Sequence, residues 1–383
     1  MLSRRFFLAA GGVTIASLGL PRMAFAKANT PKRFLFIIQR GAADGLAIVA
    51  PTGDPAFAGI RDAFAEDLAG GAKLGGFFTL HPALAESAKL YAERQALFVH
   101  AVASPYRDRS HFDGQNVLET GGTAAYRVRD GWMNRLLGLL PQDEAKALAL
   151  SATVPMALRG AHEVSSYAAS ALPGAPDDLL ARVGKLYESD QQLHGLWTAA
   201  METRMTAGDL AGGAGQNGTA AGALAAKLLA GDNGARIAMI ETGGWDTHSG
   251  QRGRLNAQLR GLDQMVGALK TGLGADWANT LVIVATEFGR TVAPNGTDGT
   301  DHGQASAAML LGGAVAGGKV VADWPGLSNG ALYEGRDLKP TTDLDALIAG
   351  ALAQHYALEP ARTMTTLFPE TRGTALGEKL ILA

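Results

Sequence analysis

Six short apolar runs set what this 383-residue chain can fold into. Phe34-Leu35-Phe36-Ile37-Ile38, Ala96 to Val102, Ala147 to Leu150, Arg236-Ile237-Ala238-Met239-Ile240-Glu241, Leu281-Val282-Ile283-Val284-Ala285 and Ser306 to Leu311 are continuous rather than alternating. At that length, continuous hydrophobicity marks strands buried on both faces, as in parallel sheets covered by helices. Helical spacing fills the intervals: Pro82 to Arg94, with Leu84, Ala88 and Tyr91 on one face, His111 to Glu119, Gln251 to Lys270, and Leu344 to Ala353. The order predicts an α/β fold, a doubly wound, mainly parallel sheet with helices on both faces. From about 173 to 231 the chain turns to Ala, Gly, Leu and polar residues and reads as a helical insertion. Within it Leu179, Leu180, Val183 and Leu186-Tyr187 have helical spacing, whereas Ala211 to Ala221 is glycine-rich and reads as a loop.

Residues 1–26 read as an address. Ser3-Arg4-Arg5-Phe6-Phe7-Leu8 has the twin-arginine pattern, Ala9 to Leu20 is weakly apolar, and Ala24-Phe25-Ala26 ends in a small-residue cleavage site. Cleavage after Ala26 leaves 27–383 as one exported, periplasmic domain, with the twin-arginine translocon as a partner during export. The apolar stretch is too short and too rich in glycine to span about 30 Å, so no stable membrane span is expected after cleavage. Thirty-four Lys and Arg against 36 Asp and Glu leave a net charge of -2, without the global basic surface that nucleic acid requires. With no cysteine in the chain, disulfides, thiolate zinc sites, iron-sulfur clusters and C-x-x-C-H haem are excluded. Any metal must be held by nitrogen and oxygen.

Suitable donors cluster in three blocks: Gly244-Trp245-Asp246-Thr247-His248, Thr286-Glu287-Phe288-Gly289-Arg290-Thr291 and Gly299-Thr300-Asp301-His302-Gly303. At least two follow apolar runs, and in open α/β sheets ligands bind just past the carboxyl ends of strands. Asp246 and His248 at i and i+2 can hold one ion together; alternatively Asp246 caps a helix starting near Ser249. Glu287 reads as a metal ligand or general base and Arg290 as a clamp on phosphate or sulfate oxygens, or the two form a plain ion pair. Asp301 and His302 lie between glycines that permit close backbone approach, in either a ligand loop or an exposed turn. Ser110 and His111 follow Arg109 and precede a helix, where a hydroxyl can meet an anion or merely cap. Asp44, in Arg40-Gly41-Ala42-Ala43-Asp44-Gly45, is a ligand or a turn aspartate.

Together with the leader, Arg40 to Leu46 and Ser110-His111-Phe112, these blocks resemble the exported family called domain of unknown function 1501. Each block is weak alone; their joint order is specific and spans nearly the whole mature chain. That family is similar in fold to the alkaline phosphatase and sulfatase superfamily. The resemblance implies an alkaline phosphatase-like sheet, a divalent metal such as zinc, manganese or calcium, and a nucleophile at a helix N-terminus. Carried over by residue, Asp246 and His248 ligate one metal, Glu287 stands at the strand-end Asp-His pair, His302 is the late histidine ligand, Asp44 the early aspartate, and Ser110 stands near the nucleophile. Two departures point away from a complete two-metal site: Glu287 is followed by Phe288 where a histidine is expected, and Arg40 ends the first strand, with Asp44 displaced downstream. The expected activity is metal-dependent hydrolysis of a phosphate or sulfate ester on a small molecule or polymer, with Arg290 or Arg109 neutralising charge. The alternative is a non-catalytic binding or assembly factor on a degenerate fold. A redox role is disfavoured because no dinucleotide glycine fingerprint follows a first strand.

Overall fold

The computed structural model describes residues 30–141, 146–167, 177–188 and 217–382, with isolated positions between 190 and 201. The predicted leader and residues 211–216 of the glycine-rich stretch lie outside the described residues. The chain divides into two compact units. One, residues 25–173 and 206–383, carries the sheet; the other contains the helix Asp177–Tyr187, where leucine spacing predicts one.

The strands are β1 (Arg33–Gln39), β2 (Ala96–Ala103), β3 (Ala147–Ala149), β4 (Ser165–Ser166), β5 (Ile237–Thr242), β6 (Thr280–Ala285), β7 (Ser306–Leu311), β8 (Lys319–Val321) and β9 (Thr342–Asp343). They form one nine-stranded sheet in the order β8-β2-β7-β6-β1-β5-β3-β4, with β9 also paired to β2. The sheet is α/β and mainly parallel, as expected. β1 runs parallel to both β5 and β6 at its centre. The antiparallel strand is β7, between β2 and β6. Its direction follows from its connection: residues 286–305 contain no helix to carry the chain back across the sheet, so β7 starts at the edge where β6 ended. That long connection therefore stays at the carboxyl edge of the central strands, where it contributes to the site.

Period-two alternation along each buried strand feeds two cores. Phe34, Phe36 and Ile38 of β1 and Leu281, Ile283 and Ala285 of β6 enter one, with Trp132, Leu347, Ile348 and Leu367 from the helices Trp132–Leu137, Leu344–Tyr356 and Pro360–Leu367. Leu35, Ile37, Val282 and Val284 enter the other, against Leu224, Leu259, Met265 and Val266 from Gly218–Leu229 and Gln251–Leu273. The Gly218–Leu229 helix takes up the end of the predicted loop; it starts there because Asn217 caps it, its Oδ1 accepting from the Ala220 N–H at 2.7 Å. A small sheet of Val49–Ala50, Ala72–Leu74 and Phe78–Leu80 lies outside the predicted strands. Among the described residues no helix is long and apolar enough to cross a membrane.

Burial of titratable groups gives the fold a signed pH dependence. His100 is fully buried, donating from Nε2 to the Val49 carbonyl and accepting at Nδ1 from the Ala101 N–H, each at 2.8 Å, so only the neutral ring fits. Burial lowers it from 6.5 to about 4, and lowers buried His355 to about 3. Both stay neutral in the fold while the unfolded chain takes up protons below pH 6.5, so stability is lost on acidification. Asp345 acts in the opposite sense: burial, then the Asp343 charge, raises it to about 8, so it gains stability as the pH falls from 8 towards 4. From these three groups we expect a net loss of roughly 3 kcal/mol between pH 6.5 and 4. Denaturant titrations across that range should show the fall, and His355→Gln should flatten it; an unchanged slope in the variant would remove His355 from the account.

Candidate metal centre

β1, β5 and β6 end side by side, so the loops following Gln39, Thr242 and Ala285 emerge at one edge of the sheet. The loop after β2 joins them as it enters α1 (His111–Thr120), the helix that begins at a site residue. Arg290 binds these loops together. Fully buried, it donates from Nε to the Ala42 carbonyl at 2.7 Å, from Nη1 to Thr300 at 2.9 Å, and from Nη2 to Gly41 at 2.8 Å, to Trp245 at 3.2 Å and to the Asp246 carboxylate. Two glycine approaches let the loops close. A Cβ on Gly41, which has φ +117°, would stand 2.5 Å from the Asp246 nitrogen, and one on Gly299 would stand 2.3 Å from the His248 carbonyl group.

Three imidazoles converge on Asp246. His248 Nε2 lies 3.1 Å and His302 Nε2 3.3 Å from Asp246 Oδ1, and the two nitrogens are 2.9 Å apart. His111 Nε2 faces Asp246 Oδ2 at 3.5 Å, buried and without a hydrogen-bond partner. The His111, Asp246 and His302 donor atoms all lie within 4.8 Å of one another. Behind the centre, each ring is anchored at Nδ1. His111 meets Glu287 Oε1 at 2.8 Å, His248 meets Asp301 Oδ1 at 2.9 Å, and His302 meets the Arg109 carbonyl at 3.0 Å. All three acceptors lack a proton to give, so each Nδ1 carries the hydrogen and each Nε2 of a neutral ring presents a lone pair. Lone pairs of two imidazoles and a carboxylate oxygen facing each other at 2.9–3.3 Å repel unless a cation sits among them.

A proton is an unfavourable cation at His302: burial, then the charge His111 carries when protonated and that of Arg290, hold it below the ordinary histidine value, whereas the Glu287 hydrogen bond raises His111 above it. A divalent ion fits. Tetrahedral ligation at 2.0–2.1 Å separates ligand atoms by about 3.3 Å, close to the spacing among His248 Nε2, His302 Nε2 and Asp246 Oδ1, with His111 on the other carboxylate oxygen, and histidines whose second nitrogen is pinned by a carboxylate or carbonyl are the usual metal-binding arrangement. Asp246 is held below the ordinary carboxylate range, since the Arg290 hydrogen bond and charge together outweigh the larger single effect of burial. It stays ionised for this role.

The other predicted residues have different surroundings. Glu287 is completely buried, with its oxygens taken by the Gly41 N–H, His111, Gln115 and the Thr286 hydroxyl. It orients His111 instead of joining the convergent atoms; burial opposes its ionisation, but these hydrogen bonds keep its pKa low. Asp301 likewise acts through His248. Asp44 is withdrawn altogether: Arg61 grips it at 2.6 and 3.2 Å, Gln251 donates at 2.6 Å, and it caps the short Gly45–Ile48 helix. Arg290 spends its donors on the loops and has 1 % exposure, so it cannot reach a substrate oxygen as the expected clamp would. Arg109 is paired with buried Asp337 at 2.7 Å and with Glu334 at 2.5 Å, a grip that holds its backbone at φ +61° with the carbonyl on His302. Ser110 occupies the N-cap position of α1, yet its hydroxyl makes no capping hydrogen bond. Asp246 is no cap either, because the next helix begins at Gln251 behind Gly250. Phe288, where a histidine was expected, stacks on the His111 ring at 5.1 Å and blocks a second cluster there. The residues missing from the sequence-based set are the outer supports, Arg61, Gln251 and Asp337, whose partners are distant in sequence.

This is an α/β protein with a three-histidine, one-carboxylate candidate metal centre at the carboxyl edge of its sheet. A family model described as "Protein of unknown function (DUF1501)" matches residues 95–368, and the chain belongs to that family. No curated protein matches the chain. Among solved structures, the C-terminal periplasmic domain of EcEptC from Escherichia coli, in complex with Zn, is similar at 10% identity, covering 77% of each chain with a TM-score of 0.34. Ps i-CgsB in complex with k-i-k-neocarrahexaose is similar at 12% identity, covering 88% of this chain and 75% of that one, also with a TM-score of 0.34.

The outer carboxylate of His248 can be tested without disturbing the core, because the Asp301 side chain is 53% exposed. Asp301→Asn should weaken zinc binding about tenfold or more in chelator competition, with the melting temperature of the metal-free protein unchanged. Equal affinities would show that His248 needs no such anchor.

Proposed function

We propose that this protein is an exported, metal-dependent hydrolase of phosphate or sulfate esters. The observation that carries the reading is the inward convergence of three imidazole Nε2 atoms on Asp246, each ring pinned from behind by a separate acceptor. His111, Asp246, His248 and His302 would hold the ion. Three nitrogens and one oxygen suit zinc or manganese better than calcium, which takes oxygen ligands. A divalent ion bound there supplies Lewis-acid polarisation of an ester oxygen and acidifies a neighbouring hydroxyl or water. The chain's own contribution is positional. Ser110 brings a hydroxyl that makes no capping hydrogen bond beside His111 at the positive end of α1, Glu287 and Asp301 keep the Nδ1 protons of their histidines in place, and Arg290 keeps Asp246 ionised and aimed. The twin-arginine leader supports export to the periplasm.

One observation favours a second reading, a binding or assembly factor on a degenerate fold. The arginines beside the centre are already paired, Arg290 with Asp246, Arg109 with Asp337 and Glu334, Arg40 with Glu119 and Glu241, which leaves none of these three to clamp a transferred anion. Metal analysis of the mature protein with a screen of aryl phosphates and sulfates separates the two. Hydrolysis predicts about one ion per chain, with both ion and turnover lost in His302→Ala and Asp246→Asn. Metal uptake without turnover supports the second reading, and failure to take up metal on reconstitution overturns the first.

A further inference from the structure

We propose that the substrate is an anionic glycan that lies along α1, with one anionic group at the metal centre and another in an arginine-lined pocket beside it. The inference rests on the hydrolase reading for the reacting end only. The pocket, of about 650 Å³, is lined by Arg107, Arg127 and Arg372, together with Thr123, Asp343 and Glu370. Its two acids are occupied. Glu370 pairs with Arg127 at 3.1 Å and accepts from the Thr123 N–H and hydroxyl, while Asp343 Oδ1 caps a helix through the Asp345 and Ala346 N–H groups. Arg107 is the distinctive member: half-buried, with Nη1 on the Ser104 and Tyr106 carbonyls, it pairs with no carboxylate among the described residues. A guanidinium stripped of part of its water and gripped by no carboxylate, with Asp343 in the same pocket acting on it only through its charge, is a partner for a sulfate, phosphate or carboxylate group.

The pocket and the metal centre flank one short helix. Arg107 precedes Ser110 by three positions, which limits their Cα separation to roughly 11 Å. The two most exposed large hydrophobic residues described in the sheet unit belong to this helix and the segment after it, Phe112 at 81% and Tyr126 at 65%. Phe112 directly follows His111. Tyr126 returns over the same helix, its N–H donating at 2.7 Å to Asn116 Oδ1, one turn beyond Phe112, with its backbone in the left-handed region at φ +63°. Two separated, exposed rings with a cationic pocket at one end suit a ligand that alternates apolar ring faces with charged substituents: a sugar's C–H face packs on an aromatic ring, and its anionic group seeks the arginines. A protein partner would need a continuous apolar patch, which two isolated rings do not make. A nucleic acid would need a basic stripe, whereas this chain has a net charge of -2.

The test is calorimetric titration of the full mature protein, with and without zinc, using size-fractionated dextran sulfate oligosaccharides, unsulfated dextran and a single-stranded oligonucleotide of matched length. We expect dextran sulfate to bind in both metal states and unsulfated dextran not to bind. Phe112→Ala should weaken binding up to about tenfold, and Arg127→Ala with Arg372→Ala about tenfold or more. Arg107→Lys, which keeps the charge and loses the fork, should weaken it less than Arg107→Ala. Absence of binding, equal binding by all variants, or tighter binding of the oligonucleotide overturns the proposal. Because glycan binding is read without metal and metal uptake is measured separately, failure here and failure of the hydrolase reading remain distinguishable.

Discussion

The site depends on one buried guanidinium. Arg290 gathers the carbonyls of Gly41, Ala42, Trp245 and Thr300 and the carboxylate of Asp246, drawing three loops that leave the sheet at different points onto a single centre. A lysine could not do this, because a single ammonium lacks the planar set of five donors. Removing an arginine in this setting leaves several carbonyls and part of a carboxylate without partners, and each such loss costs on the order of 1–3 kcal/mol. The residue that looked like an anion clamp is thus the anchor of the site's geometry. Its strength as an anchor is the reason it cannot also serve as a clamp.

Around that anchor, the acids and histidines have sorted themselves by depth. Glu287, with no exposure, and Asp44, at 1%, are satisfied by fixed donors and act behind the scenes. Asp246, with its side chain 44% exposed, faces the open side. The same division explains the histidines: each turns Nδ1 inward to an acceptor and Nε2 toward the centre, so ring orientation is set by the protein before any ion arrives. Phe288 completes the wall by packing against His111 at 5.1 Å and His302 at 5.3 Å. One compact cluster with an aromatic wall is the physical form taken by the departures from the two-metal pattern.

Much of this was legible in residue order. The buried strands announced themselves as unbroken apolar runs, and the loops after them held the right donors, with Gly299 and Gly303 marking the close approaches near Asp301 and His302. Assignment within the donor set was less legible. Glu287 and Asp44 carry the same chemistry as Asp246 on paper, and their roles differ because Gly41, His111 and Gln115 surround one and Arg61 and Gln251 surround the other. His111, between Ser110 and Phe112, carries no metal-site pattern in its own stretch of sequence; it reaches the centre because α1 starts where β2 delivers it. The reversed direction of β7 was equally hidden, since an apolar run reads the same either way.

The sequence by itself determined the fold class, the absence of thiolate chemistry, and the inventory of nitrogen and oxygen donors, because these follow from local hydrophobic period and residue type. Only the tertiary structure decided which donors meet. Ligation, ion pairing and capping differ by an ångström or two and by who else is within reach, and those are set by parallel strand ends, the return of residues 286–305 along one edge, and Arg290 drawing the loops together.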